Sequence, residues 1–185
     1  MEDKALLSTE VASGAEKAEL LIVIPAYNEA ENIERVVNHL TANFPQYDYV
    51  VVNDGSRDET AAICQRNGYN LLNLPVNLGL AGAFQAGLKY ADKYGYQYAV
   101  QLDGDGQHRP EYLESMIKKM EEGYDIVIGS RFVGEKKPFT MRMLGSNLIE
   151  MAIRFTTGVN IKDPTSGMRM FSKRMIREFA SGLNY

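Results

Sequence analysis

The stretch of the chain richest in reactive side chains is Asp103-Gly104-Asp105-Gly106-Gln107-His108. Two carboxylates one residue apart on extended backbone can converge on one hard cation, with Gln107 as a third oxygen donor. Magnesium or manganese held in this way keeps open positions for phosphate oxygens. Asp, Gly and Asn are also the commonest turn formers, so a plain turn is the competing reading of the same residues. A calcium loop of the EF-hand kind does not fit. Asp103, Asp105 and Glu114 fall where its first, third and last ligands belong, but His108 stands where that loop requires glycine, and a strand precedes it. A second carboxylate, Asp54 in Asn53-Asp54-Gly55-Ser56, is placed to bond a ribose or a base, or else to serve a turn or helix cap. The chain has no G-x-x-x-x-G-K-[ST] phosphate loop, and its first strand–helix turn, Pro25-Ala26-Tyr27-Asn28-Glu29, lacks the glycines a dinucleotide pyrophosphate needs.

These residues need a frame that brings them together, and the apolar pattern supplies one. Leu20–Pro25 (LLIVIP) reads as a fully buried parallel strand ended by Pro25. Asn28 and Glu31 form a capping pair for a helix whose face carries Ile33, Val36, Val37, Leu40 and Phe44. Tyr49–Asn53 is a second strand; Ser56 with Glu59 makes a capping box for a helix that Gly68 stops. A third strand is expected over Tyr69–Leu74, then a flexible turn from Gly79 to Gly82 and a helix with Phe84, Leu88 and Ala91 buried. Tyr98–Leu102 and Asp125–Gly129 read as the fourth and fifth strands. Between them lies a helix opened by Pro110 and carrying Leu113, Met116, Ile117 and Met120 on one face. Beyond Arg131 the rhythm changes to a charged loop at Gly134–Pro138, an apolar-rich helix over Met141–Thr157 and a short strand within Gly167–Ser172. Strands alternating with helices predict an α/β fold, a mainly parallel sheet with helices on both faces. In such a sheet ligands bind beyond the carboxyl ends of the strands. Five polar groups fall at those ends, one per strand, and together they suggest one shared site.

Composition narrows the class. The chain has 185 residues, 45% hydrophobic and 24% charged, which fits one ordinary globular domain spanning residues 20–185 behind a tail at 1–19. Its 20 basic and 24 acidic side chains give a net charge of -4, against bulk binding to nucleic acid. A lone cysteine, Cys64, rules out an internal disulfide framework and thiolate zinc clusters, and His39 and His108 leave little for a histidine metal site. No apolar run approaches the ~20 residues of a membrane span, and the first residues lack a signal core, so a cytoplasmic location is expected.

Taken in order, IPAYNE, NDGSRDET, NLGLAGA, DGDGQH and GSR resemble the family-two glycosyltransferases. The later DPTSGMR is similar to the branch that includes dolichyl-phosphate mannose synthase and the bacterial polyprenyl-phosphate glycosyltransferases. The resemblance runs from residue 20 to about 175. It implies a GT-A (Rossmann-like) fold and transfer of a sugar, with inversion, from a UDP- or GDP-linked donor. By the family pattern Pro25, Ala26, Tyr27 and Glu29 line the nucleotide pocket, and Asn53, Asp54 and Asp103 complete it. Asp103, Asp105 and Gln107 hold the magnesium or manganese, and Asp105 and Arg131 are the catalytic candidates. Many relatives have two acids where this chain has Asn53-Asp54, so the base preference does not carry over.

The expected acceptor is a polyprenyl (lipid) phosphate, which would place the protein on the cytoplasmic face of the membrane. A phosphate oxygen is already anionic near neutral pH and needs no base, and Ser130, Arg131, Arg142 and Arg169 would hold it. Taken singly, Arg142 and Arg169 read first as solvated surface charges, and Arg131, at a strand's carboxyl end, is the exception. A saccharide hydroxyl, as in polysaccharide or cell-wall synthesis, would need a base, and Asp163 is the nearest candidate, against a turn role before Pro164. The Met141–Thr157 helix, with Arg142 and Arg154 flanking apolar residues, suits either the core or a membrane interface. A non-catalytic nucleotide-sugar-binding module remains a rival. Members of the family often continue further, so a catalytic unit shortened after Tyr185 is also expected.

Overall fold

The computed structural model describes residues 19–104, 109–129 and 167–182. Leu20–Ala26 (β1), Asp48–Asn53 (β2), Leu71–Asn73 (β3), Tyr98–Gln101 (β4), Ile126–Ile128 (β5) and Arg169–Ser172 (β6) form one sheet in the order β3-β2-β1-β4-β6-β5. The ladders β3–β2, β2–β1 and β1–β4 are parallel; β6 runs antiparallel to both β4 and β5. The expected mainly parallel sheet is present, and β6, inserted between the fourth and fifth strands, makes it mixed.

The unbroken apolar run of β1 is needed because both its faces are covered. Leu20, Ile22, Ile24 and Ala26 pack with Ile33, Val36, Val37 and Leu40 of Ile33–Asn43 (α1), Ile63 and Cys64 of Thr60–Arg66 (α2), and Leu113, Met116 and Met120 of Leu113–Glu121 (α4). Leu21 and Val23 point the other way, toward Ala83, Phe84, Leu88 and Ala91 of Gly79–Tyr94 (α3) and Ile176 of Lys173–Gly182 (α5). Cys64 belongs to the first of these cores; burial pushes its thiol up to about 11, and it packs as a small apolar residue.

Several local expectations are corrected. Pro25 does not end β1, which continues to Ala26. Val23 O accepts from Leu102 N–H on the β4 side and Ala26 O accepts from Asp54 N–H on the β2 side, so Pro25 faces β4 just beyond its last rung, where its missing N–H is not needed. Neither Asn28 nor Ser56 caps a helix: α1 starts at Ile33 after a turn closed on Glu29 O, and α2 starts at Thr60, whose N–H is taken by Asp58. Gly79 to Gly82 is no flexible turn but the first turn of α3. The third and fifth strands are shorter than expected, and Gly68, at φ +67°, follows the end of α2 as foreseen. A 3₁₀ turn at Pro110–Tyr112 leads into α4, with the proline at its start. The tail at 1–18, the Gly134–Pro138 loop and the Met141–Thr157 helix lie outside the described residues.

Candidate active site

Strand order reverses direction between β1 and β4, and the loops leaving their carboxyl ends diverge there. At that switch point the chain leaves an open cleft of about 240 Å³, lined by Pro25, Ala26, Tyr27, Glu29, Asp54, Leu80, Ala83, Asp103 and Gly104. Six of the residues expected from sequence therefore meet: Pro25, Ala26, Tyr27, Glu29, Asp54 and Asp103.

Each wall has a local cause. Gly104 lets the fourth loop lie close against the first: a Cβ there would stand 3.2 Å from Pro25 O and 3.3 Å from Glu29 Cγ, tight enough that the first loop would have to give by a few tenths of an ångström. The first loop is in turn locked to the second. Asn28, at φ +57°, donates its N–H to Ser56 Oγ (3.0 Å), and its Oδ1 accepts from Arg57 N–H (2.9 Å). Glu29 N–H bonds Thr60 Oγ1 at 2.9 Å and Ala30 N–H bonds Asp58 Oδ2 at 3.1 Å, so four consecutive contacts hold Tyr27 and Glu29 at the cleft. Burial works against ionisation of Asp58, yet the Thr60 hydroxyl, with the N–H groups of Thr60 and Ala30, outweighs it and holds this carboxyl below its ordinary value of 3.8. A depressed carboxyl contributes stability above its unfolded value and loses it as pH falls through the folded one. The stability difference between wild type and Asp58→Asn is therefore expected to stay constant above about pH 5 and to close on further acidification. Urea unfolding across that range checks it; a gap that widened in acid would contradict the assignment.

The three carboxylates of the cleft are not equivalent. Glu29 Oε2 accepts from Asn32 Nδ2 at 2.9 Å. Asp54 is only 3% exposed, and its Oδ1 accepts from Leu78 N–H at 2.7 Å, which ties the loop before α3 to the end of β2. Asp103, half-buried, accepts at Oδ1 from the buried Gln101 Nε2 at 3.0 Å. No group of three acidic, histidine or cysteine side chains able to hold a metal occurs among the described residues. The donor set nevertheless fits a hard divalent cation: the cleft offers carboxylate oxygen and neither thiolate nor imidazole.

Two expected residues lie elsewhere. Asn53 is buried behind the cleft, donating to Asn73 Oδ1 at 2.6 Å, so it braces β2 against β3 and does not line the cavity. Arg169 begins β6, opposite Ile128 of β5, at the same edge of the sheet but off the described cleft wall. Asp105, Gln107, Ser130, Arg131, Arg142 and Asp163 lie outside the described residues. Sequence reasoning missed Leu80, Ala83, Gly104 and Gln101. The first two sit in the opening turn of α3, which the glycines had disguised as a loop, and Gln101 was legible only as a polar residue interrupting a buried strand.

Comparison with known proteins identifies this architecture. The Glycosyl transferase family 2 model matches residues 21–179, and the chain belongs to that family. It is 32% identical to polyprenol monophosphomannose synthase of Mycolicibacterium smegmatis over 167 residues, 85% of this chain and 63% of that protein. It is 31% identical to undecaprenyl-phosphate mannosyltransferase of Micrococcus luteus over 166 residues, 85% of this chain and 68% of that one. The chain thus spans about two thirds of the length of these relatives. The fold is GT-A, shared with glucosyl-3-phosphoglycerate synthase of Mycobacterium tuberculosis in complex with UDP. That match has a TM-score of 0.65 at 20% identity and covers 84% of this chain and 57% of the other. The same enzyme is known in complex with Mn2+ and UDP-glucose, matched at TM-score 0.65 and 20% identity over 84% of this chain and 56% of that one.

Proposed function

We propose that this chain carries the catalytic unit of an inverting, divalent-metal-dependent glycosyltransferase that moves a sugar from a nucleotide diphosphate to a polyprenyl phosphate. The observation that carries the reading is the acidic cleft at the switch point. A diphosphate entering beside Glu29, Asp54 and Asp103 meets like charge, and only a cation between them makes that encounter favourable. Asp103, with Asp105 and Gln107 from the same loop, would hold that Mg2+ or Mn2+, which when bound offsets the charge that grows on the leaving diphosphate. Tyr27 and the adjoining first loop would seat the nucleoside. The opening turn of α3, at the cleft through Leu80 and Ala83, adds a positive dipole end toward the phosphates.

In the acceptor half, Ser130, Arg131, Arg142 and Arg169 would bind the lipid phosphate and aim its oxygen at the anomeric carbon from the side opposite the diphosphate. That oxygen is anionic already, so no general base is required and Asp163 keeps a turn role. The relatives named for polyprenol and undecaprenyl phosphate support this acceptor class. No helix among the described residues is long and apolar enough to cross a membrane, so meeting the lipid there would call for peripheral attachment through this unit.

Calorimetric titration of UDP and of GDP, each with and without Mn2+, on wild type and Asp105→Ala tests the donor half. One nucleotide is expected to bind only with metal and to lose that dependence in the variant. Equal binding with and without Mn2+ would remove the metal from the reading; no binding of either nucleotide would remove the donor site.

A further inference from the structure

A glutamine side chain buried in the middle of a central strand demands an explanation. β4 and the residues just past it alternate in the usual way. Tyr98, Val100 and Leu102 pack into the core beneath α1 and α4, while Ala99, Gln101 and Asp103 fall on the opposite, α3-facing side. Position 101 is 6% exposed and pairs with the wholly buried Val23 of β1, on the side of the sheet covered by the apolar cluster that includes Val23, Ala83 and Phe84. A leucine or methionine there would bury comparable apolar volume with no amide to satisfy, and a buried amide is tolerated only when it is hydrogen-bonded. Its Nε2 donates to Asp103 Oδ1 at 3.0 Å, from two residues back on the same face.

We infer that Gln101 is a positioning residue for the cation site: it fixes the plane in which the Asp103 carboxylate enters the cleft while leaving its negative charge intact. This rests on the proposed reading of Asp103 as a donor-site ligand. Chemical type is the core of the argument. An arginine or lysine at 101 would orient the carboxylate equally well, but its positive charge would neutralise the ligand and repel a divalent cation. A neutral amide orients without competing. The bond is also largely sheltered, because Gln101 is 6% exposed, whereas the carboxylate it holds is half-buried at the cleft. The backbone beyond is pinned as well, with Gly104 seated against Pro25 O, so neither Asp103's main chain nor its side chain is left to settle when a cation arrives.

The test is a cycle of four proteins: wild type, Gln101→Met, Asp103→Asn and the double variant. Each is titrated with Mn2+ in the presence of saturating UDP, or of GDP if that is the nucleotide bound, by the loss of the free-ion electron paramagnetic resonance signal. Loss of a group that orients a metal ligand typically weakens the metal ~10–100-fold. Gln101→Met is therefore expected to raise the Mn2+ dissociation constant about tenfold, with a melting temperature at or above that of wild type. The double variant is expected to bind no more weakly than Asp103→Asn alone, because Gln101 acts only through Asp103. Gln101→Leu gives the same readout should methionine fold poorly. If Asp103→Asn weakens Mn2+ while both position-101 variants bind like wild type, Gln101 is ordinary core and the inference is wrong. Additive losses in the double variant would likewise overturn it, as the mark of a general disturbance. If Asp103→Asn itself binds Mn2+ like wild type, the donor-site reading falls and the inference with it.

Discussion

Asp103→Asn is expected to fold like wild type and to transfer sugar about 10²–10³-fold more slowly, a loss of about 2.7–4 kcal/mol of transition-state stabilisation. Asparagine has the shape of aspartate and keeps an oxygen that accepts from Gln101 Nε2, so the wall of the cleft retains its geometry. What disappears is a carboxylate just past the end of β4 that stands half-buried on the cleft wall, whereas Asp54 is nearly fully buried. The stability change should be within the ±0.5 kcal/mol typical of substitutions outside the core. Initial rates with the matching nucleotide sugar, taken against Mn2+ concentration, check the prediction. The variant should need more metal and still saturate at a lower rate. A rate within threefold of wild type at saturating metal would exclude Asp103 from the donor site.

The second large effect concerns the scaffold behind the cleft. Gly87, in the middle of α3, faces the central strand so closely that a Cβ would stand 2.2 Å from Val23 Cγ1 and 3.1 Å from Val23 Cβ. Two opposite effects compete in Gly87→Ala. Helix propensity favours alanine by ~1 kcal/mol, whereas forcing an extra methyl into a packed core usually costs ~1–3 kcal/mol. The clash is with both γ-methyls, Cγ1 at 2.2 Å and Cγ2 at 2.9 Å, with the Cβ close behind them at 3.1 Å, and Val23 is wholly buried on a strand paired on both sides, which leaves it little room to give. The upper end of the steric range applies and overcomes the propensity gain, leaving a net loss of about 2 kcal/mol. For a domain of this size that is a fall of ~4–8 °C in Tm. Thermal unfolding of Gly87→Ala, Val23→Ala and the pair distinguishes the cause: the double variant should be more stable than the sum of the single losses allows. A Gly87→Ala protein melting above wild type would mean that α3 can move off the sheet.

That glycine also shows where sequence reading stopped. Apolar runs announced β1, β2 and β4 because strands buried on both faces leave no other pattern, and the helix faces of α1, α3 and α4 were visible in their spacing. Direction and neighbour were not visible: β6 was expected as a strand, but nothing in four residues says that it pairs antiparallel between β4 and β5. Glycines at 79 and 82 were read as punctuation, although both belong to the first turn of α3. Asn28 and Ser56 have the chemistry of helix caps, yet each spends its side chain on a loop 28 or 29 residues distant in sequence, beyond the reach of any local pattern. Of the site, the polar strand ends were legible as a group. Which of their carboxylates was braced, and by what, required the geometry: Asp54 to the loop before α3, Glu29 to its own turn, Asp103 to Gln101.

The placement of β6 has a bearing on how such a catalytic unit can be diversified. Gly129, leaving β5, donates its N–H to the carbonyl of Met168, entering β6, at 2.8 Å. The chain between them therefore departs from and returns to a single rung of the sheet, like a cassette plugged into one socket. Closing a chain between two fixed ends depends only weakly on its length, with each doubling adding ~0.6 kcal/mol, so an insert of another length could be closed on the same rung. The donor-side candidates brought together here, from Pro25 to Asp103, lie outside that cassette, whereas of the acceptor-side candidates Ser130, Arg131, Arg142 and Asp163 lie inside it and Arg169 just beyond its end. On the proposed division of roles, most of the acceptor half would be exchangeable as a block, by recombination or at the bench, with Arg169 staying behind on β6 and the donor half left closed.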